Sequence, residues 1–399
     1  MANVFIGRQP IFDRQNQVFA YELLWRGGDD NQAGFADGDL ATTQVMLNAL
    51  TEIGLDRLVG ERLAFINLTR RFLIGDRPLP EMTDRVVLEI LEDIEPTAEV
   101  IAAVERLAGL GYTIALDDFL YRPALAPLVE RADIVKIDLL ALDTDGLREH
   151  VATMRRYPVR LLAEKVENAE QHALCMALGF DYFQGYFYAR PNVVEGRRMP
   201  ANQMAVLQLL AAVQDPDITD SELEDLIRQD VGLSWRLLRY INSARFGLNR
   251  EIDSIRQAIT LLGRRILRQI TSLLAMAGLG EKPPELLMTA LIRAHMTARL
   301  CEARGLDTDA GYTAGLFSVL DALLDRPMSE LLDDLPLSAE LADALRDGQG
   351  ELGSVLTTVI ACDTADWSRV DDDAFDPELL NRTYLEAIDQ AGETAGLLN

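Results

Sequence analysis

The sequence predicts two fold classes in succession: an α/β half built as a TIM-like (β/α) barrel with an antiparallel first strand, then an all-α half. Three observations carry this. Seven short apolar runs each end in a polar residue and lead through a short loop into helical spacing, the alternation of a parallel sheet wrapped by helices. Two β-rich runs around a four-residue turn open the chain, and such a hairpin sets the first strand antiparallel to the second. Beyond residue 200, apolar residues recur every three or four positions with no strand pattern between them.

The opening runs are 4–12 and 17–25, around Asp13-Arg14-Gln15-Asn16. Phe19-Ala20-Tyr21 then leads into Glu22, Leu63-Ala64-Phe65-Ile66 into Asn67, and Val86-Val87-Leu88 into Glu89. Ile114-Ala115-Leu116 leads into Asp117 and Asp118, Ile134-Val135 into Lys136, 159–163 into Glu164, and Tyr182-Phe183 into Gln184. The C-terminal strand ends of a closed barrel share one mouth. Five carboxylates (Glu22, Glu89, Asp117, Asp118, Glu164) are therefore expected at one spot, with Asn67, Lys136 and Gln184 beside them. Carboxylates so concentrated repel unless a cation sits among them. Oxygen donors without His or Cys point to a hard divalent ion, Mg²⁺ or Mn²⁺.

The stretch 192–200 is polar and lacks a sustained period, so the domains are expected to be 1–195 and 196–399. Helical spacing covers 201–213, 219–229, 234–243, 255–262, 264–277 and 285–303. The stretch 217–222 offers a cap with acids in the first turn, and Asp253 precedes Ser254 and Ile255; both are start signals. Trp235 and Trp367 are expected to be core or interdomain packing residues, with a partner site as the alternative.

Composition narrows the function classes. With 38 Lys+Arg against 64 Asp+Glu the formal charge is -26, which argues against a long nucleic acid held on a basic surface. Cys175, Cys301 and Cys362 lie far apart in apolar helical contexts, as reduced core thiols of a cytoplasmic protein do. The start has no basic-then-apolar signal pattern, and Arg264, Arg265 and Arg268 break the most apolar later run, so no membrane span is expected.

Specific motifs lie on this frame. Gln9-Pro10-Ile11, Asp13 and Glu22-Leu23-Leu24-Trp25-Arg26 resemble the opening of the EAL domain family, with Leu23 in place of its Ala. Phe65-Ile66-Asn67-Leu68, Leu88-Glu89-Ile90-Leu91-Glu92, Leu116 to Phe119 and Val135-Lys136-Ile137-Asp138 resemble its next motifs in order. Ala163-Glu164-Lys165-Val166-Glu167 (Lys165 for Gly), Phe183-Gln184-Gly185-Tyr186 and Pro191 complete the series. The resemblance implies hydrolysis of cyclic di-GMP to pGpG with Mg²⁺ or Mn²⁺. It implies that Glu22, Asn67, Glu89, Asp117, Asp118 and Glu164 hold two metal ions, and that Lys136, Glu164, Gln184 and Glu167 form the catalytic set. Gln9, Arg26 and Asp138 would contact substrate, and Glu92 and Glu167 would brace the loop after Asp118. Two cations would clamp the attacking and leaving oxygens of the phosphodiester and lower the pKa of a bound water.

The chain departs from the family in that loop. Leu120-Tyr121-Arg122-Pro123 stand where active members carry a glycine-rich segment, and Pro123 fixes a dihedral that glycines leave free. In the second half, 227–234, 237–244, 255–263 and Ala314-Gly315-Leu316-Phe317 resemble an HDOD domain, the non-catalytic relative of HD phosphohydrolases. Ser318 and Val319 occupy the positions of the His-Asp metal ligands, and His295 is the half's single histidine. That half is expected to bind no catalytic metal and to dock an unidentified protein partner, with a homodimer left open. Three readings remain: a phosphodiesterase with a regulatory domain, a cyclic di-GMP receptor without useful turnover, and a protein-interaction scaffold.

Overall fold

The computed structural model describes residues 4–27, 54–75, 79, 82–189, 201–215, 217–243, 252–279, 282–370 and 374–398. Eight strands close into a barrel in sequence order: β1 (Val4–Asp13), β2 (Val18–Gly27), β3 (Leu63–Leu68), β4 (Val86–Ile90), β5 (Thr113–Leu116), β6 (Ile134–Asp138), β7 (Arg160–Glu164) and β8 (Tyr182–Gln184). β1 is antiparallel to both β2 and β8, and every other pair is parallel. The expected hairpin accounts for this. Asn16 takes a left-handed φ of 56°, and the Asp13 carboxylate accepts the backbone N–H groups of Gln15 and Gln17 at 2.8 and 2.9 Å.

Between the strands run α1 (Leu55–Val59), α2 (Arg70–Ile74), α3 (Ala98–Gly109), α4 (Ala126–Val129), α5 (Thr144–Met154) and α6 (Ala169–Leu178). Their apolar faces and the outward strand residues, among them Leu58, Leu88, Val104 and Phe183, form the outer core. Inside the barrel sits a separate apolar layer: Ile11, Ala20, Phe65, Val87, Ala115, Ile134, Leu162 and Tyr182, one from each strand.

Side chains alternate in and out along a strand, so the next inward position is two residues on. Two residues beyond the apolar layer come Glu22, Asn67, Glu89, Asp117, Lys136, Glu164 and Gln184. On β1, which runs the other way, the equivalent step is two residues back, at Gln9. Period-two geometry thus stacks a complete polar layer on a complete apolar one.

The helices of the second half are α7 (Ala201–Gln214), α8 (Asp220–Arg228), α9 (Val231–Ile241), α10 (Ile255–Ala277), α11 (Pro284–Arg304), α12 (Thr308–Phe317), α13 (Leu320–Leu324), α14 (Met328–Asp333), α15 (Ala339–Asp347), α16 (Gly350–Asp363) and α17 (Pro377–Leu398). The cap expected within 217–222 is Thr219, which forms a capping box with Glu222, and Ser254 caps α10. Within α10 the two stretches expected at 255–262 and 264–277 are separated at Gly263, whose φ of 82° and ψ of 156° are not helical. The backbone of α12 approaches α11 closely: a Cβ on Gly315 would overlap the backbone of Arg293 and Ala294.

Chain contacts group Met1–Phe187 with Ala361–Leu385, and Tyr188–Ile360 with Glu386–Asn399. The barrel unit thus takes up a segment that the sequence reading assigned to 196–399. Trp235 is 59% exposed, so it is not a core packing residue, and the Arg239 guanidinium lies 5.1 Å from its ring centroid. Among the described residues no helix is long and apolar enough to cross a membrane.

Gly185 joins β8 to the mouth at φ 140°, and an added Cβ would overlap the N, C and O atoms of Val166. Gly185→Ala is therefore expected to cost more than about 2 kcal/mol in chemical denaturation, well above a typical surface change. A cost below about 0.5 kcal/mol would show that this backbone approach is not a constraint.

Candidate active site

Each side chain of the polar layer owes its place to a strand. Asn67 and Glu89 pair in register across β3 and β4. Just past β5, Asp117 N–H bonds Ile90 O at 2.9 Å and Phe119 N–H bonds Lys136 O at 3.0 Å, so the Asp117-Asp118 step is fixed between β4 and β6. On the far side, Val166 N–H bonds Gln184 O at 3.0 Å.

The centre is the Lys136 ammonium, fully buried on β6. Its Nζ lies 2.6 Å from Glu89, 2.6 Å from Asp117, 3.0 Å from Glu164 and 3.4 Å from Glu22. Glu22 also accepts from Gln184 Nε2 at 2.6 Å and from Asn67 Nδ2 at 3.3 Å. One positive charge faces four carboxyl groups, an imbalance that burial makes costly. Burial raises the pKa of Glu22, but Lys136 and the two amide donors more than offset this, so Glu22 titrates below the usual carboxylate range. Glu89 is driven well up by burial and then by Glu22 and Asp117. Asp117 is also pushed up, by burial first and then by Glu22 and Asp118. Burial raises Glu164 to about 8, with Asp117 and Glu22 adding to it.

The donor set suits a hard cation. Glu89 Oε2 and Glu164 Oε2 are buried oxygens with no hydrogen-bond donor, and Gln184 Oε1 is a third acceptor in the same state. Among the described residues no three acidic, His or Cys side chains already frame a metal position; the carboxyls close on Lys136 instead.

The remaining expected site residues separate into groups. Asp118, with a left-handed φ of 39°, faces Lys165 at 3.7 Å and is 37% exposed. Lys165 lies 2.6 Å from Asp138, whose other oxygen accepts the Leu140 N–H at 2.7 Å. Asp118 and Asp138 thus share Lys165 outside the Lys136 cluster. Gln9 joins the layer, its Oε1 accepting from Gln184 Nε2 at 3.0 Å. The Arg26 side chain lies outside the described residues. Glu167 is partly buried, and its backbone N–H donates to Gln171 Oε1 at 2.7 Å. Glu92 is exposed on the wall of a cavity of about 460 Å³ that also meets Asp117, Asp118, Leu120 and Arg122. Arg122 and Lys165 are mouth cations that motif reading did not assign. Lys165 was legible as a Lys where the family has Gly, whereas no local signal marked Arg122.

In the helical unit, Ser318 Oγ donates to Gly315 O at 2.7 Å and accepts from Arg293 Nη1 at 3.4 Å, while Val319 is buried. His295 meets the Tyr312 ring edge-on at 5.4 Å between centroids. These side chains are used in packing and hydrogen bonding around a guanidinium.

Because Glu164 titrates near 8 when folded and 4.5 is its ordinary value, unfolding releases its proton between these pH values. This group's stabilisation is complete below 4.5 and is lost as pH rises through about 8. The melting temperature of metal-free protein is expected to fall over this window, and Glu164→Gln is expected to flatten the fall. An identical pH profile for the variant would refute the assignment.

Two family models match the chain, the EAL domain over residues 61–191 and the HDOD domain over residues 199–324. The cyclic di-GMP phosphodiesterase CdgJ of Vibrio cholerae is 33% identical over 405 residues, spanning 97% of this chain and 92% of that one. The protein YuxH of Bacillus subtilis is 32% identical over 398 residues, 97% of each. Among solved structures, the Bacillus subtilis YkuI protein, with an EAL domain and in complex with substrate c-di-GMP and calcium, aligns with a TM-score of 0.39. Its identity is 20%, covering 57% of this chain and 71% of that one. β1 and β2 precede the matched EAL residues yet close the same barrel and supply Gln9 and Glu22. The chain belongs to the family of proteins that join an EAL domain to an HDOD domain.

Proposed function

We propose that the barrel binds cyclic di-GMP at its mouth and hydrolyses it to pGpG, slowly, with Mg²⁺ or Mn²⁺ held by Glu22, Asn67, Glu89, Asp117 and Glu164. The observation that carries this is four carboxyl groups sharing one buried ammonium, with carboxylate oxygens left over at the open end of the barrel. The family relation to CdgJ supports the substrate. When bound, a divalent ion reverses the sign of the pocket for a phosphodiester and lowers the pKa of a coordinated water.

The chain's own residues do the rest. Lys136 is a fixed donor that orients Glu89, Asp117 and Glu164. Gln184 holds Glu22 through Nε2 and leaves Oε1 to accept a proton donor in the site, the place for the attacking water. Gln9 and Arg26 would contact substrate, and Arg122 is placed on the cavity wall to meet a phosphate or a guanine edge. Glu92 and Glu167 would brace the 119–123 segment.

A receptor with little turnover is the second reading, and one observation favours it: Asp118 faces Lys165, not the Lys136 cluster. An ammonium there competes with a second cation, and a second ion is what in-line attack requires. The functional division is placed at 1–195 and 196–399, in a protein of the cytoplasm. The three cysteines are buried, with the Cys175 and Cys301 thiols pushed up to about 12 and about 11 by burial, as suits a reducing compartment. The helical domain serves to dock a protein partner or a second copy. Val231 and Trp235, one helical turn apart and 79% and 59% exposed, support this.

Pure protein with Mn²⁺ is expected to bind cyclic di-GMP and release pGpG slowly, and Asp117→Ala to abolish release while keeping some binding. Failure to bind cyclic di-GMP with any divalent metal would refute the proposal. Lys165→Gly, which frees Asp118 and Asp138, is expected to raise the Mn²⁺-dependent rate by about tenfold. An unchanged rate would show that Lys165 does not limit turnover.

A further inference from the structure

Residues 361–385 lie beyond both family matches but belong to the barrel's compact unit. Leu385 joins the outer core of the barrel, and Tyr384 is fully buried close to Arg8, its hydroxyl held well above the usual range by that burial. The Trp367 ring lies on Gly7 of β1, where a Cβ would meet two ring carbons at 3.3 and 3.5 Å and Ala365 Cβ at 3.4 Å. A bare stretch of β1 is what admits the indole. Ala365 takes a left-handed φ of 53°, which a side chain disfavours, and the turn it makes delivers the Thr364 carbonyl to the barrel mouth.

There the carbonyl meets Gln9 Nε2 at 3.2 Å and the hydroxyl of Tyr186, which also accepts from Gln9 Nε2 at 3.0 Å. A carbonyl only accepts, so it fixes which end of each amide points where. Gln9 must turn its NH₂ to Thr364, and its Oε1 then faces Gln184. Gln184 must answer with its own NH₂, which donates to Gln9 Oε1 at 3.0 Å and to Glu22 at 2.6 Å. Gln184 Oε1 is left as a buried acceptor without a donor. Both ends of this relay only accept, the Thr364 carbonyl outside and the Glu22 carboxylate inside, and this one orientation of the two amides satisfies both.

We propose that the returning 364–367 segment is a positioning element for the barrel's site, with the Thr364 carbonyl orienting Gln9, Gln184 and through them Glu22 for cation binding. This rests on the reading of the mouth as a cation site. It makes a part of the chain beyond the HDOD match a determinant of metal affinity. Residues 361–385 take in the last residues of α16 and the first part of α17.

The test uses the full chain, Mn²⁺ alone as probe, electron paramagnetic resonance titration for affinity and circular dichroism for folding. Trp367→Ala, which unseats the segment, and Tyr186→Phe, which removes only a hydroxyl, are each expected to weaken Mn²⁺ binding by about tenfold. Trp367→Phe, whose ring still covers Gly7, is expected to recover affinity to within about threefold of wild type. A merely structural role would lower melting temperature and leave the affinity of the folded fraction unchanged. Should Trp367→Ala not fold, Tyr186→Phe decides alone. Affinity within about twofold of wild type in folded variants overturns the inference while the site reading stands. Wild-type protein that binds no Mn²⁺ overturns both.

Discussion

A single buried ammonium shared by four carboxyl groups is the constraint on which the barrel depends. Lys136 is fully buried, and no isolated ammonium survives in such a place without anionic partners. Glu22, Glu89, Asp117 and Glu164 supply them from four different strands, so correct closure of the barrel and assembly of the mouth are one event. The attraction is over-subscribed. Glu22, with two amide donors besides the lysine, carries negative charge, while Glu89, Asp117 and Glu164 are held toward their neutral forms by burial and by one another. Such a site is stable without a cation and has reason to take one.

The apolar layer beneath makes this electrostatic arrangement work. Phe65, Val87, Ile134 and Leu162 seal the barrel below the carboxylates and exclude water from that side, which strengthens the interactions above. The polar layer lies at the C-terminal ends of the parallel strands, the face on which barrels carry their functional loops. In this chain the loop side carries Leu120, Arg122 and Pro123, and Lys165 draws Asp118 and Asp138 away from the centre. The inner half of the mouth is thus complete, and its outer half is reorganised around a second ammonium.

Close backbone contact shapes the helical unit. Gly311 and Gly315 let α12 lie against α11, where Cβ atoms would overlap the neighbouring chain. Ser318 then faces the Arg293 guanidinium, a poor setting for a metal cation. Exposed Val231 and Trp235 suit a role in association.

Much of the site could be read directly from the sequence, because period-two alternation is local. Seven apolar runs ending in Glu22, Asn67, Glu89, Asp117, Lys136, Glu164 and Gln184 are visible without coordinates, as is the turn at 13–16 that reverses β1. The HDOD helices were legible for the same reason, since three- and four-residue spacing and the Thr219 cap are properties of neighbours in sequence. Tertiary structure decided what depends on pairs distant along the chain. It decided that Asp118, adjacent to Asp117, faces the other way, since a left-handed φ and the β4 and β6 hydrogen bonds set that step. It decided that the Lys136 ammonium bridges four of those acids at 2.6 to 3.4 Å, and that Trp235 is exposed. Above all it brought Thr364 to Gln9, 355 residues away, through a carbonyl that every residue possesses and no sequence pattern can mark.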